Sequence, residues 1–117
     1  MVAKVNEVRK RHDLRPLRPS PSLDRSSAQY ARRLMRTDTL AHRARPSVAG
    51  QYKRAGEALA YRSGSGLGIS WTIRAWMRSS SHRSVLLTRS MRDLGAGLAR
   101  GRFRGRKAIV WVLQVGR

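Results

Sequence analysis

The fold class this 117-residue sequence predicts is a three-layer α/β/α sandwich, with a small antiparallel sheet between helices. Two observations carry that expectation. Apolar residues recur at helical spacing through most of the chain, and the C-terminal quarter changes to a strand pattern that is apolar on both faces. A strand of that kind has to be covered on both sides, so the helices belong above and below it.

The elements follow in order. Val2, Val5 and Val8 recur at helical spacing while Lys4, Glu7 and Arg11 fill the other faces, so residues 2–12 read as an amphipathic helix. Pro16 and Pro19 keep the next segment extended. Ser20 and Pro21 mark a second helix, serine as the N-cap and proline at the first helical position. Its apolar face carries Leu23, Ser27, Tyr30, Ala31 and Leu34, and its end falls near Thr37. A weakly marked helical piece is expected around residues 46–54. Gly56, and then SGSGLG from Ser63 to Gly68, punctuate the middle of the chain as loop.

Ile69, Ile73, Trp76 and Met77 line one face of a third helix, opposite Arg74 and Arg78, with its end near Ser80. In LGAGLARG, Leu94, Ala96 and Leu98 alternate with glycine and alanine. In AIVWVLQV, Ile109, Trp111 and Leu113 stand against Val110 and Val112. The glycine-flanked basic segment between them, GRFRGRK, is expected as the loop that closes an antiparallel hairpin. No internal repeat or second boundary interrupts this plan, so residues 1–117 are expected to form one domain, and a monomer.

Composition limits the function. The chain has 26 basic and 6 acidic residues, a formal charge of +20, and a pI near 12.0. Such a field attracts polyanions, and non-specific binding of them at low salt is expected. Of the basic residues 22 are arginine and only Lys4, Lys10, Lys53 and Lys107 are lysine. They fall in nearly every segment, whereas a dedicated nucleic-acid surface concentrates them beside a recognition element. A basic nucleic-acid or polyanion binder is therefore the alternative reading. No apolar run is long enough to be a transmembrane segment, and the first dozen residues lack a signal-peptide core, so an export signal would lie outside this sequence. Cysteine is absent, which excludes disulfides, thiolate metal ligation and cysteine nucleophiles.

Three polar residues interrupt the frame where chemistry could sit. His42 follows the second helix in TLAHRAR, Glu57 stands among small residues in AGEALA, and His82 follows the third helix in WMRSSSHR. A carboxylate in such surroundings is partly buried and needs a partner, for which the histidines and the many arginines all qualify. His82 either faces His42 and Glu57 across a cleft or sits solvated at a helix end. The serines beside it do not make a hydrolase by themselves, because the GxSxG elbow is missing.

The ordered set VNEVRKRHDLRPLRPSPSLDRSSAQYARRL, LAHR, GEALA, WMRSSSHRSVLL, LGAGLARG and VWVLQVG resembles bacterial members of the CAP superfamily, also called SCP domains. That superfamily groups cysteine-rich secretory, antigen 5 and pathogenesis-related 1 proteins. The resemblance implies a single CAP domain over residues 1–117, an extracellular or cell-envelope location, and a cleft of two histidines and two acids. His42 and His82 correspond to the histidines and Glu57 to one acid; Ser79 stands where the other acid is usual, and Ala58 replaces the asparagine of the Gly-Glu-Asn motif. His42 and His82 are thereby candidate ligands for a weakly bound divalent metal such as zinc, with no cofactor required. The partners implied are an envelope lipid, a glycan or another anionic extracellular ligand. A non-enzymatic binding module is expected ahead of a hydrolase using the same cleft.

Overall fold

A computed structural model describes residues 1–43 and 51–117 of the chain. The elements among these residues are α1 (Val2–Arg11), β1 (Arg18–Pro19), α2 (Pro21–Thr37), β2 (Ala55–Ser63), α3 (Ile69–Arg78), α4 (Ser80–Leu87), β3 (Asp93–Phe103) and β4 (Arg106–Gly116). The strands form one sheet in the order β1-β3-β4-β2. Helices cover both of its faces, giving the α/β/α sandwich.

The alternation expected of the last strand decides which layer each residue joins. Ile109, Trp111, Leu113 and Val115 of β4 pack with Val5, Val8, Ile73, Trp76 and Leu86 of α1, α3 and α4. Ala108, Val110 and Val112 face Tyr30, Ala31 and Leu34 of α2 on the other side. The first two helices thus lie on opposite faces of the sheet, and the chain between them must cross its edge. The proline-held segment does this by pairing parallel to β3, Arg18 opposite Asp93 and Pro19 opposite Leu94. The sheet is therefore mixed at one edge rather than wholly antiparallel. Ser20 then caps α2 through its side chain, which accepts a hydrogen bond from the Leu23 N–H at 3.3 Å.

Close approach of α2 explains the glycines of LGAGL. A Cβ on Gly95 would lie 2.3 Å from the carbonyl carbon of Leu23, and one on Gly97 2.3 Å from the backbone nitrogen of Ala28. Both neighbours are helix backbone, which cannot step aside as a flexible side chain can. The alternating pattern there marks a surface shaved for a helix as much as a strand.

Three elements depart from the expectation. Residues 55–63 form β2, paired antiparallel with β4 from Ala55↔Gly116 to Ser63↔Ala108. Gly56 and its alanine neighbours have weak strand preference, but nine residues of pairing against a central strand override it. The third helix does end before Ser80, yet the chain turns at Ser79 (φ −106°, ψ 122°) and starts α4 at once. The basic loop is much shorter than GRFRGRK. β3 runs to Phe103, 1% exposed against the α2 layer, and only Arg104 and Gly105 make the turn, both at positive φ (52° and 76°). That is the two-residue geometry matching the twist of paired strands. Of the weak helical piece around 46–54, residues 46–50 lie outside the described residues, and 52–54 are not helical.

One basic residue of α1 is interior. Arg9 is fully buried, and its guanidinium donates to the carbonyls of Arg15 at 2.8 Å, Leu86 at 2.8 Å and Thr88 at 3.1 Å. Burial, and secondarily the charge of Arg89, lower its pKa. By capturing the carbonyls at the end of α4, Arg9 locks the helix that carries His82 onto α1.

Candidate functional site

Glu57 sits on β2 opposite Gln114 of β4, on the face that α2 covers. Its side chain is only 6% exposed. The carboxylate is held from two directions: Oε1 lies 3.0 Å from Nδ1 of His42, and Oε2 accepts from the Gln114 amide at 2.8 Å. An ionised carboxylate only accepts, so Nδ1 of His42 is the protonated nitrogen in this pair. In its neutral form the imidazole presents Nε2 as an acceptor, and His42 is 53% exposed.

His42 is positioned by a residue that sequence reasoning assigned only to packing. The buried Tyr30 donates its hydroxyl hydrogen to the carbonyl of Ala41, immediately before the histidine. The guanidinium of Arg43 lies over the Tyr30 ring, 4.1 Å from its centroid. Burial, then the charge of Glu57, raise the pKa of Tyr30, so the phenol stays a donor. Tyr30 thus holds the residues on both sides of His42, the Ala41 carbonyl through its hydroxyl and the Arg43 guanidinium through its ring.

His82 stands in the first turn of α4, half-buried. Its pKa is lowered below the ordinary value of 6.5, first by burial and then by the positive charge of His42. The two histidines are therefore electrostatic neighbours, although no direct hydrogen bond joins them. The Ser79 hydroxyl lies 3.3 Å from that of Ser81, and the Ser79 carbonyl accepts from the Arg83 N–H at 2.7 Å. The structure thus brings His42 and Glu57 into contact and sets His82 within electrostatic range of His42.

Gln114 is the second member missed from sequence. It is 1% exposed, and its Oε1 has no hydrogen-bond partner. The signal was available: a single amide within the otherwise apolar AIVWVLQV must be buried with it, and a buried amide needs a polar partner.

As a metal centre the donor set is thin. No group of three or more His, Cys, Asp or Glu suited to a metal occurs among the described residues. Residues 44–50, Ala-Arg-Pro-Ser-Val-Ala-Gly, contain none of these types. Both oxygens of Glu57 are already engaged, which leaves two imidazoles where a resident zinc site uses at least three protein ligands.

A model of the cysteine-rich secretory protein family, CAP, matches residues 2–115. The chain belongs to the CAP family. Solved structures similar to this CAP domain include an outer surface protein from Borrelia burgdorferi, at TM-score 0.79 and 21% identity, the match covering 99% of this chain and 88% of that one. An extracellular SCP-domain protein from Bacillus anthracis aligns at TM-score 0.76 and 18% identity, over 99% of this chain but 38% of the other. A cysteine-rich secretory protein from Staphylococcus aureus aligns at TM-score 0.69 and 20% identity, over 99% of this chain and 37% of that one. This CAP domain thus spans little more than a third of the last two. At such identities the likeness is one of fold. No curated protein sequence matches the chain. No helix among its described residues is long and apolar enough to cross a membrane.

Proposed function

We propose that this CAP domain is a bacterial extracellular or envelope binding module whose ligand is taken at His42, Glu57 and His82, without bond-breaking chemistry of its own. The observation that carries the reading is the held carboxylate: Glu57 is nearly buried yet fixes a half-exposed imidazole in one tautomer. An imidazole oriented this way offers Nε2 to a hydroxyl or amide donor, and, once protonated, to an anion. An envelope lipid headgroup or a glycan supplies either kind of partner. The nearby serines support binding over hydrolysis, since Ser79 and Ser81 pair with each other and Ser84 donates to the Ser80 carbonyl at 3.0 Å. None of these contacts aligns a hydroxyl with an imidazole as a nucleophile requires.

The same donor set sets the expectation for metal. Two imidazoles capture zinc only weakly, and the surrounding positive charge opposes a dication. Calorimetry should therefore detect zinc at pH 7.5 only when it is supplied in excess, with weaker binding at pH 5.5 as the imidazoles protonate. Zinc binding by His42→Ala/His82→Ala equal to that of the native protein would remove the pair as ligands. The ligand site itself is tested by histidine NMR against lipid and glycan fractions of a bacterial envelope. The chain has three histidines, so His12, on the far end of α1, serves as an internal control. The imidazole signals of His42 and His82 should move on binding while His12 stays; shifts confined to His12, or to none, would place the site elsewhere.

A further inference from the structure

The end of the sheet nearest the β3–β4 turn carries a feature separate from the His42–Glu57 pair. Arg62 of β2 and Arg100 of β3 both pair with Ile109 of β4, and two residues further on Arg102 pairs with Lys107. Because side chains alternate along strands, Arg62, Arg100, Arg102 and Lys107 share one face, the face covered further along by α1, α3 and α4. Here it is bare. A cavity of about 650 Å³ opens over it, lined by Gly64, Ser65, Arg100, Arg102, Lys107 and Ile109 among others, with no acidic side chain. Asp38 lies at this end of the molecule but accepts from the Arg104 backbone on the opposite, α2 side.

Beside this patch stand the large exposed hydrophobics of the described residues, Leu67 at 40% and Trp71 at 45% exposure. Both are tied to it. The carbonyl of Leu67 accepts from the indole of Trp111 at 2.7 Å, and Trp111 is the next residue inward from Ile109 on the same face. The Arg62 guanidinium lies 6.0 Å from the centre of the Trp71 ring. Four cations without carboxylates repel one another, and two large apolar side chains left in water are costly; one surface relieves both. A soluble polyanion would neutralise the arginines but leave Leu67 in water. An anionic bilayer meets the cations with phosphates and takes tryptophan and leucine at headgroup depth.

We propose that this end of the sheet docks peripherally on an anionic lipid bilayer, with Leu67 and Trp71 entering the headgroup region and Arg62, Arg100, Arg102 and Lys107 meeting lipid phosphates. The proposal does not rest on the reading of His42, Glu57 and His82, and either can fail alone.

The experiment is vesicle flotation of the full chain, on phosphatidylcholine alone and with roughly one third phosphatidylglycerol, at about 0.15 M salt. Trp76 and Trp111 are buried, at 1% and 5% exposure, so a blue shift of tryptophan emission on binding reports Trp71. Binding and the blue shift should require the anionic lipid. Arg100→Ser/Arg102→Ser/Lys107→Ser should weaken partitioning at least ~10-fold, and by up to ~100-fold if each cation contributes its full factor of roughly five. Leu67→Ser/Trp71→Gln should weaken it comparably and abolish the shift. The equal charge removal Lys4→Ser/Arg74→Ser/Arg78→Ser, in the groove between α1 and α3, should change it less than ~3-fold. Equal losses in the two triple variants would overturn the proposal in favour of diffuse charge. So would patch-dependent binding of heparin or an oligonucleotide with no vesicle-induced blue shift, which would make the occupant a soluble polyanion.

Discussion

Removing the carboxylate of Glu57 should cost far more than a surface substitution. Two hydrogen bonds end on it, from His42 at 3.0 Å and from Gln114 at 2.8 Å. The first partner is half-exposed and can turn to water, so that bond is worth about 1 kcal/mol. The second is not recoverable. Gln114 is 1% exposed with one amide atom already unpartnered, so Glu57→Ala leaves the whole buried amide without a partner, at about 2 kcal/mol more. The expected total for Glu57→Ala is about 3 kcal/mol, or roughly 10 °C in Tm for a domain of this size.

Glu57→Gln should be much milder, about 1 kcal/mol, because its carbonyl can keep the Gln114 bond while His42 changes tautomer to accept from the new amide. Adding Gln114→Leu to Glu57→Ala should recover part of the loss, since two apolar groups leave nothing unsatisfied. Urea unfolding followed by tryptophan emission measures all three. A Glu57→Ala protein within about 0.5 kcal/mol of native, the range of ordinary surface changes, would mean that water satisfies Gln114 and that Glu57 holds nothing in place.

Two further outcomes follow from the structure. Gly97→Ala places a Cβ 2.3 Å from the Ala28 nitrogen and 2.4 Å from its Cα, so α2 must retreat, and denaturant titration should show a loss of about 2 kcal/mol or more; an unchanged midpoint would refute the close approach. His82 has a folded pKa below the unfolded value near 6.5, so the unfolded chain binds this proton more readily, and His82 contributes stability above that pH which is lost as pH falls through 6.5 towards its folded pKa. Thermal melts of native and His82→Asn proteins should therefore diverge in slope between pH 7.5 and 5, the native protein losing more, and parallel slopes would show that His82 is not buried beside His42.

How far these features could be read in advance follows from the kind of information each requires. The helices of Val2–Arg11, Pro21–Thr37 and Ile69–Arg78, and the two-faced pattern of the last strand, are local signals of period and capping, and they were legible. The β2 strand was not, because AGEALAYRS has little local preference and becomes a strand only through its register with β4. That pairing also decides the site. Glu57 and Gln114 are 57 residues apart in sequence, and only the antiparallel register sets them opposite each other. His42 and His82 could be singled out as polar residues interrupting an apolar frame, whereas the clamp on His42 could not, because Tyr30 satisfied the helix-face pattern and gave no sign of a second task. Arg9 shows the limit of charge patterning, since nothing local distinguishes it from the exposed basic residues among those the structure describes. Its distinguishing feature is a set of carbonyls at the end of α4, and those exist only once that helix has formed. The site is thus legible residue by residue where a group is out of place in its own segment, and illegible where its partner comes from a segment whose structure is itself a product of the fold.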